Sequence, residues 1–154
     1  MLKASYTFPA HRLNDVPVSM YFMTHAYFMF YHALSTMVLR RIRAAYEPGR
    51  ARTAFVAGVV ATMAYATALG ESVTICGFPY YSFEDRDTAY TLGSAFYSIY
   101  FLVSFPAFAL LDEDGGPKHT LSRACIEALA SGMAVLCLLD FVRLGVGVPL
   151  FATS

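Results

Sequence analysis

Three residues with imidazole, carboxyl or phenol side chains, His25, Glu71 and Tyr97, lie inside runs that are otherwise apolar enough to cross a bilayer. Ionisable groups are expensive inside a membrane, so each of them marks a candidate functional site. Counted inward from the expected helix ends, they lie about seven to nine residues deep, roughly 10 to 14 Å at 1.5 Å per residue. We therefore predict that the three side chains share one polar layer.

Such a layer suits proton transfer. Desolvation disfavours the charged form of a carboxyl at this depth, which makes Glu71 a candidate acid. A histidine in the same layer can receive or relay the proton. An alternative stays open for His25, His32, Glu71 and Glu127, because polar side chains in membranes also hold helices together through hydrogen bonds.

The composition indicates a membrane protein. Of the 154 residues, 57% are hydrophobic and 14% are charged, which is more apolar surface than a soluble domain of this size can bury. The formal net charge is zero, so no nucleic-acid partner is expected. The three cysteines predict no disulfide framework, and the two histidines of the first apolar run lack the spacing of a metal site.

The expected fold is an all-α membrane bundle of about four transmembrane helices, with residues 1–154 forming a single membrane domain. The four predicted spans are residues 18–39, 53–76, 88–111 and 121–142. Pro106 is expected to bend the third span, and Asp140 is expected to pair with Arg143 in the fourth. Arginines concentrate between the first two spans, which predicts a cytosolic loop there and a lumenal position for both termini and the loop from Gly77 to Asp87.

A series of short motifs runs along nearly the whole chain. The motifs are Ala4–Pro9, Val16-Pro17, Thr24-His25, Phe30–His32, Leu39–Arg41, Glu71, Phe78–Tyr81, Asp85-Arg86, Phe96-Tyr97, Ile99–Phe101, Val103–Pro106, Leu121–Arg123, Asp140, Arg143 and Val148–Leu150. In order and spacing the series resembles the cycloeucalenol cycloisomerases, the cyclopropyl-sterol isomerases of plants and algae. Members of that family are longer at the front, so the resemblance implies that this chain lacks the family's N-terminal membrane segments.

The resemblance implies an isomerase of phytosterol biosynthesis, a multi-pass protein of the endoplasmic reticulum membrane. Such an enzyme opens the 9,19-cyclopropane ring of cycloeucalenol to give obtusifoliol. An acid protonates the ring, and a base then removes a proton from carbon 8 to leave a double bond. The cation between these steps needs a dry pocket and aromatic faces. The expected partners are the cyclopropyl sterol and the lipid bilayer, with no cofactor.

Helix depth and side-chain chemistry suggest roles for particular residues within this resemblance. Glu71 is the expected proton donor, and His25 is its partner or the base. The residues expected to line the sterol site are Tyr97, Tyr100, Phe96, Phe101 and His32.

Two other functions stay open at the level of sequence. The first is a non-catalytic sterol-binding membrane protein, or an inactive fragment of the isomerase. The second is a proton-linked transporter in which Glu71, Glu127 and Asp140 line a path through the membrane. Four helices without an inverted repeat argue against transport.

Overall fold

The computed structural model describes residues 4–83, 85–112 and 120–147, and long helices dominate this part of the chain. In chain order the elements are β1 (Ala4–Tyr6), β2 (Arg12–Leu13), β3 (Val16–Pro17), α1 (Val18–Ala45), α2 (Arg50–Cys76), β4 (Tyr81–Phe83), α3 (Arg86–Thr88), a π-helical turn (Ala89–Gly93), α4 (Ser94–Asp112) and α5 (Leu121–Val146). The predicted all-α class is confirmed. The motif at residues 148–150 lies outside the described residues.

Three described helical segments are long and apolar enough to cross a membrane, namely Arg50–Cys76, Arg86–Leu111 and Leu121–Gly145. They contain the last three predicted spans. Helix α1 contains the first and is long enough to cross, but its histidines and tyrosines keep its hydropathy below that of the other three segments. The crossing of α1 therefore stays a prediction.

Helix α4 is the centre of the bundle and packs against α1, α2 and α5. Its Phe101 and Phe105 are fully buried and form one cluster with Ala64 and Ala68 of α2. The small alanines let the two backbones approach closely, which matters because lipid is as apolar as the helices and gives little hydrophobic drive to associate. Close packing therefore holds α2 and α4 together.

The third membrane segment contains two irregularities. Helix α4 continues through Pro106, which has no N–H to donate to the preceding turn. The π-helical turn at Ala89–Gly93 lies one turn after the start of the segment, where Asp85 caps α3 by accepting hydrogen bonds from the hydroxyl and amide of Thr88 at 2.5 and 3.1 Å. These hydrogen bonds hold the pKa of Asp85 below its usual value. The sequence patterns predicted the proline effect and did not predict the π turn.

Short strands cover one end of the bundle. Strand β1 pairs antiparallel with β4, so that Ser5 lies opposite Ser82 with their hydroxyl oxygens 2.9 Å apart. The ring of Tyr6 packs on that of Tyr81, with 4.8 Å between the centroids. We call this pair of strands the strand cap. It brings the first motif of the chain to the end of the bundle at which α1 begins and α2 ends.

We expect Ala68→Leu to destabilise the bundle, because a larger side chain in the cluster with Phe101 and Phe105 forces α2 away from α4. Overpacking of this kind costs about 1 to 3 kcal/mol. The measurement is the unfolding midpoint of the detergent-solubilised chain. Ala66→Leu lies on an exposed face of the same helix and is the matched control, expected to leave the midpoint unchanged. Equal losses in the two variants would contradict the described packing.

Candidate functional site

Glu71 and Tyr97 meet in the interior of the bundle. The phenolic hydroxyl of Tyr97 on α4 donates a hydrogen bond to Oε2 of Glu71 on α2 over 3.1 Å, and both side chains are half-buried. Beside them, the buried Ser94 of α4 donates to the hydroxyl of Ser72 on α2 over 3.1 Å. Two interhelical hydrogen bonds therefore fix the position of the carboxyl relative to the phenol. Two of the three residues in the predicted polar layer are in direct contact.

A cavity of about 440 Å³ borders this pair. We call it the Glu71 cavity. Its lining comprises Tyr6, Tyr81 and Phe83 of the strand cap, Val16 of β3, Met20, Tyr21 and Thr24 of α1, Glu71, Ser72 and Ile75 of α2, and Ala89, Gly93 and Tyr97 of the third membrane segment. The volume lies in the range of small-molecule sites. Among these described residues Glu71 carries the one carboxyl, and none is a histidine.

His25 does not line the Glu71 cavity. It is exposed on α1, whereas its neighbour Thr24 lines the cavity. The depth count gave the level of His25 along the helix axis, but successive helical side chains point in different directions around that axis. At the level of Glu71, α1 therefore presents Thr24 to the cavity. The predicted role of His25 as partner or base stays a prediction.

His32 is buried on the opposite side of an aromatic layer and joins α1 to α4. Its Nδ1 lies 2.6 Å from the carbonyl oxygen of Phe28, and its Nε2 lies 2.9 Å from Oγ of Ser104. A carbonyl oxygen only accepts, so Nδ1 carries the hydrogen and donates it. In the neutral ring Nε2 then accepts the hydroxyl hydrogen of Ser104. The interhelical hydrogen bond expected as the alternative for His32 is thus present in the structure.

His32 and Ser104 border a second cavity of about 300 Å³, between α1, α4 and α5. We call it the His32 cavity. Its other lining residues are Phe28, Tyr100, Ala107, Phe108, Leu111, Glu127, Ala128, Ser131, Gly132 and Val135. Glu127 also forms an ion pair with Arg123, at 2.7 Å between Oε1 and Nε.

The predicted sterol-lining residues divide between these surroundings. Tyr97 lines the Glu71 cavity, and Tyr100 and His32 line the His32 cavity. Phe96 and Phe101 are buried and line neither cavity. Phe101 instead supports the ring of Tyr97, edge to face with 5.2 Å between the centroids. The predicted ion pair of Asp140 with Arg143 is present at 3.6 Å between Oδ1 and Nη1.

The strand cap and Ser104 were not among the predicted site residues. Tyr6, Tyr81 and Phe83 border the Glu71 cavity, and burial raises the pKa of Tyr81, so its phenol keeps the proton and remains a hydrogen-bond donor. The motif series contained a signal for all of these except Phe83, because Tyr6, Tyr81 and Ser104 each fall in one of its stretches. Nothing local in the sequence indicates that β1 pairs with a segment so distant in the chain.

The fold and the site define a class, a helical membrane protein in which a carboxyl–phenol pair borders an internal cavity. The chain is 43% identical to cycloeucalenol cycloisomerase of Arabidopsis thaliana over 154 residues, which cover 97% of this chain and 55% of that relative. The resemblance predicted from the motifs is thereby confirmed. The chain spans just over half the length of this curated relative. No family model matches the chain, and no solved structure matches it significantly.

We expect the double variant Ser5→Cys with Ser82→Cys to form a disulfide on mild oxidation, because the two positions are direct partners across β1 and β4. The background carries alanine at Cys76, Cys125 and Cys137. The measurement is whether fragments cut between α1 and α2 stay joined until reductant is added. The control pairs Ser5→Cys with Ser122→Cys, on α5 at the other end of the bundle. Linkage no greater than in this control would contradict the strand cap.

Proposed function

We propose that this chain belongs to the cycloeucalenol cycloisomerase family and carries the catalytic acid of a cyclopropyl-sterol isomerase. The observation that carries the proposal is the hydrogen-bonded pair of Glu71 and Tyr97 beside a cavity, in a chain 43% identical to a cycloisomerase. The proposed substrate is cycloeucalenol and the proposed product obtusifoliol. The proposed location is the endoplasmic reticulum membrane, with the strand cap on the lumenal side.

In the proposed first step, Glu71 donates its proton to carbon 19 of the cyclopropane. The electron pair of the bond between carbons 9 and 19 forms the new C–H bond, which makes the methyl group and leaves a cation at carbon 9. Glu71 is left as a carboxylate. The hydrogen bond from Tyr97 stabilises that carboxylate, which makes Glu71 a stronger acid than an isolated carboxyl in the same surroundings.

In the proposed second step, a base takes the proton from carbon 8, and the C–H electron pair forms the double bond between carbons 8 and 9. The Glu71 carboxylate formed in the first step is the base already present in the cavity, because none of the other described lining residues is a carboxylate or a histidine. A single carboxyl then returns to its starting state after each turnover. His25 is the alternative base, and its exposed position on α1 makes it the weaker candidate.

The cation between the steps has to be kept from water. Val16, Met20 and Ile75 give the Glu71 cavity apolar walls, which favour a dry site. Aromatic rings of the lining, among them Tyr81 and Tyr97, offer faces that attract a positive charge. Phe101 and Tyr100 pack on the ring of Tyr97, with centroids 5.2 and 5.7 Å away, and we propose that they hold it toward the sterol.

We expect Glu71→Gln to abolish most of the isomerase activity, because an amide has no acidic proton to give. General acid catalysis contributes roughly 100- to 10,000-fold, so the rate is expected to fall by at least about 100-fold. The measurement incubates membranes containing the chain with cycloeucalenol in deuterated water. Mass spectrometry then follows deuterium in the new methyl group of obtusifoliol.

Two matched variants separate the roles. Tyr97→Phe keeps the ring and loses the hydrogen bond, so a smaller loss of roughly 5- to 10-fold is expected. His25→Gln is expected to stay near the original rate. Full activity in Glu71→Gln would exclude Glu71 as the donor, and a loss confined to His25→Gln would make His25 the base. Sterol binding without any turnover in the inserted, unaltered chain would favour the non-catalytic sterol-binding function.

A further inference from the structure

We propose that the His32 cavity is a second sterol site, in which Ser104 accepts a hydrogen bond from the hydroxyl group of a sterol that is not being converted. The class of ligand rests on the proposed function, whereas the geometry of the site does not. The argument starts from the hydrogen bonds that His32 and Ser104 already make.

The direction of these hydrogen bonds leaves one acceptor open. Nδ1 of His32 donates to the carbonyl of Phe28, so Nε2 accepts the hydroxyl hydrogen of Ser104. A serine hydroxyl has one hydrogen and two lone pairs, and its hydrogen is used on His32. Oγ of Ser104, at the wall of the cavity, can therefore accept from a ligand. A ligand hydroxyl extends a chain of donors that ends at the Phe28 carbonyl, and such chains strengthen each bond.

The charges of the lining favour a neutral hydroxyl over a phosphate. None of the described lining residues is a lysine or an arginine, and the one ionisable acid among them is Glu127. A lipid phosphate would meet that acid without a cation in the wall. A neutral hydroxyl on an apolar body meets no such penalty. The rings of Phe28, Tyr100 and Phe108 give the cavity flat faces, which suit a rigid fused-ring molecule better than a flexible chain.

The His32 cavity is a different site from the Glu71 cavity. His32 lies about eight residues beyond Thr24 on α1, and Ser104 about seven beyond Tyr97 on α4, so the two polar levels are roughly 10 to 12 Å apart. Between them, Phe28 of the His32 cavity contacts Tyr97 of the Glu71 cavity, with 6.5 Å between the ring centroids. A sterol hydroxyl bound at Ser104 therefore does not reach the catalytic carboxyl.

The test uses a photoreactive sterol with a free 3-hydroxyl and no cyclopropane ring, applied to membranes containing the chain. Cross-links mapped by mass spectrometry are expected on α4 and α5 around the His32 cavity. Ser104→Ala is expected to lower this labelling by roughly 5- to 10-fold, which corresponds to one hydrogen bond. Ser104→Thr keeps a hydroxyl and is expected to retain labelling. The matching 3-ketone probe cannot donate and is expected to label the unaltered chain as weakly as the hydroxyl probe labels Ser104→Ala.

Further arms separate this proposal from its rivals. Ser131→Ala removes another hydroxyl of the same cavity and is expected to leave labelling unchanged. Glu71→Gln is also expected to label normally, so a failure of isomerisation with normal labelling counts against the proposed function alone. Labelling that ignores both the 3-hydroxyl and Ser104 would overturn the second site. So would a phospholipid probe that labels the same residues in a Ser104-dependent way, because it would make the occupant a lipid.

Discussion

Polar side chains inside this bundle have to find their hydrogen-bond partners within the protein, because the hydrocarbon of a bilayer offers none. Glu71 meets this constraint by accepting from Tyr97, Ser72 by accepting from Ser94, and His32 by accepting from Ser104. In all three cases the donor stands on the third membrane segment. This explains why α4 is the central helix and why both cavities border it. The requirement that holds the helices together also places the reactive groups.

The packing around these hydrogen bonds gives the parts of the site different stiffness. Helices α2 and α4 are held by two interhelical hydrogen bonds and by the buried cluster of Ala64, Ala68, Phe101 and Phe105, so the relative position of Glu71 and Tyr97 is well fixed. The strand cap is joined through strands of only three residues each, and its residues are exposed or half-buried. Elements with so few contacts open most readily. A fixed acid under a less stable cap suits a site that has to admit a large apolar molecule and then exclude water.

The contact of Glu71 with Tyr97 was foreseeable from the sequence, whereas the position of His25 was not. Apolar runs and their ends set the depth of a residue along a helix, and depth was enough to bring Glu71 and Tyr97 to one level. Rotation about the helix axis depends on which face packs against neighbours, and for α1 this places Thr24 rather than His25 at the cavity. The pairing of Ser5 with Ser82 is a long-range contact that no local pattern specifies. Ser104 gave no chemical signal of its own because its importance comes from the orientation of His32.

The two cavities differ in the direction in which their hydrogen bonds run, and this difference decides what each can do. At Glu71 the protein donates toward the carboxyl, so the charge that forms when the proton leaves is met by a dipole already in place, and no reorganisation is needed during the reaction. At Ser104 the protein's only hydroxyl hydrogen points toward His32, so the cavity meets an accepting oxygen. The first arrangement favours release of a proton to a substrate that has no polar group at the reacting centre. The second favours capture of a ligand that brings its own hydrogen. A sterol offers both features in one molecule, a cyclopropane or double bond in its apolar body and a hydroxyl at one end.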